Sequence, residues 1–151
     1  GMSGDAYHIT APAEDGDGGY RAMFEALKMA NVSASNIDYI NAHGTSTVLG
    51  DQIELNALKR LFSSEKDKIF VSSTKSSIGH LLGAAGSVES IFSIMSLQKN
   101  ILPATLNLDD PIDSRNINLI PNSPVEKNIS YALSNSFGFG GTNTALLYKN
   151  I

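Results

Sequence analysis

The segment between Val71 and Leu97 constrains the fold most, because it predicts a strand, a polar turn and a helix in direct succession. The strand covers 68–73, and the helix is expected from about Leu82, beyond which apolar residues recur at helical spacing. Those residues are Val88, Ile91, Phe92 and Met95. Small residues at 83–86 allow another backbone to approach the start of the helix. The segment therefore indicates a sheet with a helix packed against it.

The turn inside this segment carries Lys75 and His80. A strand that delivers a lysine and a histidine to a glycine-rich helix start is typical of a pocket for negative charge. A neutral imidazole N–H stabilises developing negative charge, and a nearby ammonium group keeps the imidazole neutral. No carboxylate is adjacent to Lys75 in the sequence. Glu89 either faces the sheet or is an ordinary exposed residue of the helix.

The rest of the chain predicts further helices and strands in an αβαβα order, followed by an irregular stretch and two strands. The helices are expected at 18–30, ending at Asn31, and at 51–62; the strands are expected at 37–42, 131–136 and 143–148. Within the first helix, Tyr20, Phe24, Leu27 and Met23 or Ala30 form the expected inward face; within the second, it is Ile53, Leu55, Ala57, Leu58 and Leu61. Residues 63–68 are expected to form a charged loop, and 101–124 an irregular surface stretch with a short extended piece at 102–106. The fold class is α/β, with a mixed sheet between helices.

Composition excludes several classes of function. The chain has 151 residues, a net charge of −4 and no basic run longer than Lys59-Arg60, which argues against nucleic acid and anionic membranes as main partners. No apolar stretch approaches the roughly 18 residues of a membrane span. Gly1 to His8 reads as the middle of a loop, so we expect a fragment of a longer protein, with a cytoplasmic location.

A second candidate site follows the strand at 37–42. His43 ends that strand and precedes Thr45, Ser46 and Thr47. Ligands gather at the carboxyl ends of strands in α/β sheets, and consecutive hydroxyls suit an extended polar ligand. The alternative is that His43 is structural and the hydroxyls cap the helix at Asp51.

The glycine-rich loop at 137–143 joins the last two strands. Three glycines in four positions require unusual backbone angles or close backbone approach, and Phe137 and Phe139 on such a hinge suggest a movable apolar gate. A plain tight hairpin is the alternative.

Two histidines and a lysine stabilise charge, but covalent acyl chemistry also needs a nucleophile. The chain contains no cysteine, and no serine stands in a nucleophile elbow, so we expect any nucleophile to lie upstream.

Four motifs resemble those of the β-ketoacyl-acyl-carrier-protein synthases, most closely the type II branch (KAS II). They are Asn-Ala-His-Gly-Thr-Ser-Thr at 41–47, Ser-Thr-Lys-Ser at 73–76, Gly-His-Leu-Leu-Gly-Ala-Ala-Gly at 79–86 and Asn-Ser-Phe-Gly-Phe-Gly-Gly-Thr-Asn at 135–143. The resemblance implies that residues 1–151 are the C-terminal half of a thiolase-like fold. It also implies an acyltransferase of fatty acid elongation, which condenses an acyl chain with malonyl-acyl-carrier protein by a decarboxylative Claisen reaction.

The resemblance implies a role for each candidate residue. His43 and His80 would donate hydrogen bonds to the malonyl thioester oxygen, and Lys75 would orient His80. Thr45 and Thr47, with Thr10 as a weaker candidate, would hold the phosphopantetheine arm. Phe139, with Phe137 beside it, would gate the acyl pocket. The supporting residues would be Glu89, as a buried carboxylate, and Asp5, in a loop that moves with the gate.

The resemblance also implies partners. They are acyl-carrier protein, the N-terminal half that supplies the cysteine, and a second copy in a homodimer; no cofactor or metal is expected beyond the carrier's phosphopantetheine. Without the N-terminal half, we expect the apolar faces of the helices near Asp51 and Gly83 to be exposed. Two alternatives stay open at this point: a non-catalytic ketosynthase-like partner of a polyketide system, and a free-standing module that binds carrier protein.

Overall fold

The computed structural model describes residues 1–63, 69–114 and 116–151. The strands are β1 (Met2–Gly4), β2 (Tyr39–Asn41), β3 (Ile69–Ser72), β4 (Ile101–Leu102), β5 (Ile117–Asn118), β6 (Val125–Glu126), β7 (Tyr131–Gly138) and β8 (Thr142–Lys149). The helices are α1 (Asp17–Ala30), α2 (Val48–Leu61), α3 (Lys75–Ile78) and α4 (Ala85–Lys99), with short 3-10 turns at Ala34–Asn36 and Leu82–Ala84. Lys68 and most of the predicted charged loop at 63–68 lie outside the described residues.

The predicted mixed sheet is confirmed. Six strands pair in the order β1-β8-β7-β2-β3-β5. The central strand β2 runs parallel to both β3 and β7, whereas β7 and β8 form an antiparallel hairpin. The carboxyl ends of β2 and β3 therefore meet at one edge of the sheet, and the residues that follow these two strands are neighbours.

Two apolar cores lie on opposite faces of the sheet. Alternate strand residues point to opposite faces, so Ile40 and Leu133 pack in the core that contains α1 and α2. Their chain neighbours Tyr39 and Ala132 pack in the other core, with Leu97 of α4. All three residues of β2 are buried, because helices cover both faces of this strand.

Helix α1 ends as predicted, since Asn31 adopts the left-handed conformation with φ 54°. Its buried residues include Leu27 and, of the two alternatives Met23 and Ala30, Met23, but the inclusion of Phe24 in the inward face was wrong. Phe24 is 44% exposed and stacks on half-buried Tyr20 with 5.9 Å between ring centroids. The small residues Ala22 and Ala26 lie against the sheet instead, where they allow the helix to approach closely.

Helix α2 begins three residues earlier than predicted, at Val48. Its expected inward face is confirmed: Ile53, Leu55, Ala57 and Leu58 are buried, and Leu61 is half-buried. The expectation that the apolar face of this helix would be exposed without an N-terminal half was wrong. Helix α1 and the sheet already cover it, in the same core.

Helix α4 has the opposite pattern, with small and polar residues buried against the sheet. Its buried side chains are Ala85, Glu89, Ser93, Ser96 and Leu97. Ile91 is 56% exposed, and Ile94 and Met95 are about as exposed, at 40% and 41%. The expected exposure of an apolar face on this helix is therefore confirmed, and Glu89 faces the sheet.

Sequence reasoning missed three strands, β1, β5 and β6. The segment at 1–8 was interpreted as loop, yet β1 pairs with β8 at the edge of the sheet. The stretch at 101–124 contributes β5 to the main sheet, whereas Leu102 is the one residue of the predicted extended piece at 102–106 that lies in a strand, β4. Strands this short carry too few residues for alternation to reveal them.

Among the described helices, none has the length and hydropathy needed to cross a membrane.

The two methionines of α1 provide a matched test of this core. Met23 is 0% exposed and Met29 is 80% exposed on the same helix. We expect Met23→Ala to lower the free energy of unfolding by about 2–5 kcal/mol, because it leaves a cavity. Met29→Ala should change it by no more than about 0.5 kcal/mol. Urea unfolding followed by circular dichroism measures both, and equal losses would contradict the described burial.

Candidate active site

One pocket of about 580 Å³ collects most of the predicted site residues. Eight of them line it: Asp5, Thr10, His43, Thr45, Thr47, His80, Phe137 and Phe139. Lys75 and Glu89 are not among its lining residues. They are buried, at 7% and 1% exposure. The pocket opens where β2 and β7 end, as expected for a parallel arrangement of strands.

The position of His43 is fixed by a glutamate that sequence reasoning missed. The buried carboxylate of Glu54 accepts hydrogen bonds from the backbone N–H groups of His43, at 3.0 Å, and Gly44, at 2.9 Å. Asn135 donates to the same carboxylate at 3.1 Å. The end of β2 is thus tied to α2 and β7 at the point where the imidazole leaves the sheet.

The electrostatic surroundings hold the His43 ring neutral. Burial, followed by the charges of Lys75 and His80, lowers the pKa of His43 to about 4. The ring lies edge-on to that of His80, with 5.5 Å between centroids and an interplanar angle of 86°. Phe137 covers another side, at 5.7 Å between ring centroids. At neutral pH, His43 is therefore available as a neutral N–H donor.

His80 is exposed to the pocket, and its tautomer is set by the backbone. The N–H of Leu82 donates to Nδ1 of His80 at 3.2 Å, so the neutral ring carries its proton on Nε2. Leu82 has a φ of 53°, which turns this N–H back toward the imidazole. The Nε2–H group is left to meet a ligand.

Lys75 forms a buried ion pair with Glu89. Glu89 lies fourteen residues away in the sequence, so the absence of an adjacent carboxylate gave no sign of this partner. Burial raises the pKa of Glu89, and the ammonium group of Lys75 opposes that rise. The carboxylate of Glu89 therefore compensates the charge of Lys75 locally. The ammonium group of Lys75 still disfavours protonation of His43.

Thr45 and Thr47 line the pocket, and Thr47 does not cap α2 through its side chain. Thr47 occupies the N-cap position of α2 but makes no side-chain capping hydrogen bond. Its hydroxyl lies 3.3 Å from that of Thr45. The capping role falls partly to Asp51, which accepts a hydrogen bond from the Ser46 N–H at 3.2 Å. Both threonine hydroxyls are therefore available to a ligand.

The glycine-rich loop is a hairpin turn, and it is joined to the loop at 5–12. Gly140 and Gly141 have φ values of 80° and 72°, as the glycine pattern predicted. The Asp5 N–H donates to the Gly141 carbonyl at 2.9 Å. The Asp5 carboxylate accepts from Asn143 at 2.6 Å. Phe139, at the turn, is 80% exposed, whereas Phe137 is half-buried.

Glu54 and Asn143 are the main omissions of the sequence analysis. Glu54 lies on the buried stripe of α2, between Ile53 and Leu55 and next to Ala57 and Leu58 in space. A charged residue within an apolar helix face is a signal that could have identified it.

Among the described residues, no three His, Cys, Asp or Glu side chains lie close enough together to hold a metal ion.

The neutral state of His43 can be measured by NMR. Because the folded protein holds His43 neutral down to about pH 4 and the unfolded value is 6.5, the unfolded chain binds more protons between these values. The contribution of His43 to the free energy of unfolding should therefore fall as the pH drops from 6.5 toward 4. We expect the ring protons of His43 to titrate near pH 4 in the folded protein and near pH 6.5 in urea. A folded-state midpoint at the unfolded value would contradict this assignment.

Known proteins resemble this chain along its whole length. Residues 1–109 match the family described as Beta-ketoacyl synthase, C-terminal domain. The chain is 58% identical over 149 residues to 3-oxoacyl-[acyl-carrier-protein] synthase 2 of Rhizobium meliloti, covering 99% of this chain and 35% of that protein. It is 53% identical over 152 residues to the protein of the same name from Vibrio harveyi, covering 100% of this chain and 37% of that protein. The chain thus spans little more than a third of the length of these relatives.

Solved structures agree with the sequence relatives. A beta-ketoacyl synthase from Burkholderia phymatum is 37% identical, with a TM-score of 0.92 over 100% of this chain and 36% of that one. A type II PKS acyl-carrier protein in complex with its ketosynthase bound to the hexaketide gives a TM-score of 0.93 at 33% identity, covering 100% of this chain and 38% of that one. The α/β fold is therefore the thiolase-like fold of the ketosynthases. The chain belongs to the beta-ketoacyl synthase family, in which it matches the C-terminal domain.

Proposed function

We propose that residues 1–151 form the C-terminal half of a 3-oxoacyl-[acyl-carrier-protein] synthase of fatty acid elongation. The reaction would be a decarboxylative Claisen condensation, which extends an acyl chain by two carbons from malonyl-acyl-carrier protein. The observation that carries this proposal is the pair of imidazoles on one pocket, His43 and His80, with centroids 5.5 Å apart. The 58% identity to a 3-oxoacyl-[acyl-carrier-protein] synthase 2 supports the same reaction.

The two imidazoles suit the charge that this reaction develops. When the malonyl thioester loses carbon dioxide, the electron pair of the broken C–C bond moves into an enolate, and negative charge collects on the thioester oxygen. Two neutral N–H donors in fixed positions stabilise that oxygen more than a neutral ground-state carbonyl. His43 is held neutral by burial and by the charge of Lys75, and His80 presents its Nε2–H. The enolate carbon then attacks the acyl thioester, and the thiolate of the cysteine leaves.

The cysteine that carries the acyl chain would come from the N-terminal half, since this chain contains none. The pair formed by Lys75 and Glu89 is buried and does not line the pocket. Its ammonium group biases the imidazole of His43 toward the neutral state, and its carboxylate fixes that ammonium group in place. We therefore assign His43 and His80 to the reacting oxygen, and Lys75 and Glu89 to the support of these residues.

The substrates would enter on the phosphopantetheine arm of acyl-carrier protein, and we propose no other cofactor. Thr45, Thr47 and Thr10 offer hydroxyls along the same pocket. This suits an extended arm with amide groups, which needs both donors and acceptors. A solved relative whose description pairs an acyl-carrier protein with its ketosynthase supports the choice of carrier.

We assign the gate of the acyl pocket to Phe139, with Phe137 beside it. Phe139 is 80% exposed on a turn of two left-handed glycines, so little packing opposes its movement. The Asp5 loop would move with this turn, because Gly141 and Asn143 both bond to Asp5 and the Gly140 N–H donates to Ile9 at 2.8 Å. Opening the gate would therefore displace residues 5–12 as well.

The exposed face of α4 would be covered by the N-terminal half of the same enzyme. Ile91, Ile94 and Met95 form this face, while the opposite side of the helix is already packed on the sheet. A helix that is apolar on its outer side and buried on its inner side is typical of the middle of a layered structure. On the resemblance alone, we propose that the complete enzyme is a cytoplasmic homodimer.

A non-catalytic partner is the second candidate, because solved relatives include a ketosynthase in complex with its chain length factor from Xenorhabdus doucetiae, at 34% identity. Likeness of fold does not separate the two functions. His43, Lys75 and His80 are all present in one site, which favours the enzyme. Condensation by the full-length protein decides between them.

Variants of the two histidines in the full-length protein test the proposed reaction. His43→Ala and His80→Ala should each slow malonyl decarboxylation by roughly 10²–10³, the usual effect of losing one preorganised donor. Transfer of the acyl chain to the cysteine should be affected far less, since it needs no enolate. Carbon dioxide release and acyl-enzyme formation measure the two steps separately. Condensation at the parental rate in either variant would show that the assigned role is wrong.

The isolated chain tests the proposed half-enzyme. We expect it to self-associate or to be marginally stable, because exposed apolar patches of a few hundred Å² drive association. Ile91→Glu with Met95→Glu should reduce association in analytical ultracentrifugation, whereas Met29→Glu, on the exposed end of α1, should not. A monodisperse parental monomer with a high, cooperative melting transition would contradict the proposal and favour an independent carrier-binding module.

A further inference from the structure

Ser73 lies where three segments of the candidate site meet, and it does not line the pocket. It is 8% exposed, and each of its polar groups makes a hydrogen bond to a different segment. We propose that Ser73 is a positioning residue, whose hydroxyl sets the distance between the loop of His43 and the turn of Lys75. This inference rests on the proposed condensation.

The Ser73 hydroxyl lies just beyond the last backbone hydrogen bond between β2 and β3. The backbone ladder between β2 and β3 ends with the Ala42 N–H donating to the Ser72 carbonyl at 2.9 Å. One residue further along, the Ser73 hydroxyl donates to the Gly44 carbonyl at 2.6 Å. A side chain thus continues the connection beyond the last backbone bond.

Gly44, whose carbonyl accepts this hydrogen bond, packs closely against Ser73. Gly44 has a φ of 33°, and a Cβ added to it would lie 2.7 Å from the Cβ of Ser73. Its N–H donates to the Glu54 carboxylate at 2.9 Å, while its carbonyl accepts from Ser73. The backbone after His43 is therefore clamped between a carboxylate of α2 and a hydroxyl of the β3 end.

Ser73 is itself fixed by the turn that carries Lys75. Its carbonyl accepts the Ser76 hydroxyl at 2.8 Å and the Ser76 N–H at 3.2 Å. Its N–H donates to the Thr105 hydroxyl at 3.0 Å, which connects the turn to the stretch after α4. Because hydrogen bonds hold both ends of the link, the hydroxyl of Ser73 transmits the position of the Lys75 turn to His43.

Loss of this hydroxyl should disturb the alignment of the donors while leaving the fold in place. Glu54 and the β2–β3 ladder still hold the loop, but the Gly44 carbonyl loses its partner and the loop can shift by fractions of an ångström. Small misplacements of a catalytic group reduce rate strongly, since preorganised geometry supplies much of the acceleration. The effect should fall on the enolate-forming step, which uses His43.

The test uses the full-length synthase that carries this chain. We expect Ser73→Ala to lower kcat for decarboxylation and condensation roughly tenfold. The KM for malonyl-acyl-carrier protein and the rate of cysteine acylation should stay within about twofold of the parent. Ser73→Thr, which keeps the hydroxyl, should restore most of kcat.

Ser114→Ala is the matched control. Ser114 is half-buried and its hydroxyl donates to the Ile117 carbonyl at 2.7 Å, a comparable bond beside β5. This variant should lose stability in urea without a change in kcat. If Ser73→Ala does not fold, Thr105→Val, which removes the acceptor of the Ser73 N–H, should show the same selective loss of kcat.

Three results would overturn the inference: an unchanged kcat in Ser73→Ala, an equal loss of kcat in Ser114→Ala, or an equal slowing of cysteine acylation in Ser73→Ala. Selective loss of kcat for the enolate step, restored in Ser73→Thr, supports it. A parental synthase that acylates its cysteine but never condenses would instead overturn the proposed function. The two failures are thereby distinguished.

Discussion

The buried carboxylate of Glu54 is the interaction on which the geometry of the site depends. One side chain of α2 accepts from two consecutive backbone N–H groups of the His43 loop and from Asn135 of β7. Burial raises the pKa of Glu54, and these three donors oppose the rise. A carboxylate in an apolar helix face is unfavourable unless its hydrogen bonds are made, so helix, strand end and hairpin must assemble together.

The pair formed by Lys75 and Glu89 makes a different contribution. Both side chains are almost fully buried, and removing two charges from water is costly, so such a pair is weak evidence for stability. Its effect on the electrostatic field of the pocket is clearer. The ammonium group adds to the effect of burial in disfavouring protonation of His43, so this hydrogen-bond donor stays in the neutral form.

Much of the fold could be predicted from local patterns. Periodicity identified α1, α2 and α4, the glycine pattern predicted the unusual backbone angles at Gly140 and Gly141, and the residues after two parallel strands do share a pocket. The ion pair of Lys75 with Glu89 could not be predicted from spacing, because it depends on how α4 docks on the sheet. The same docking turned Ile91 and Met95 outward. Periodicity shows that a helix has an apolar face, but tertiary packing decides which face meets the sheet.

The two imidazoles differ in how readily substitution can disturb them. His43 depends on a side chain, Glu54, so a single exchange at that position removes its support. The tautomer of His80 depends on the backbone N–H of Leu82, a residue whose side chain is 78% exposed. Proline is the one amino acid that lacks this donor, and every other replacement retains it. A replacement at residue 82 therefore keeps this contribution when it tolerates the positive φ of 53° at that position.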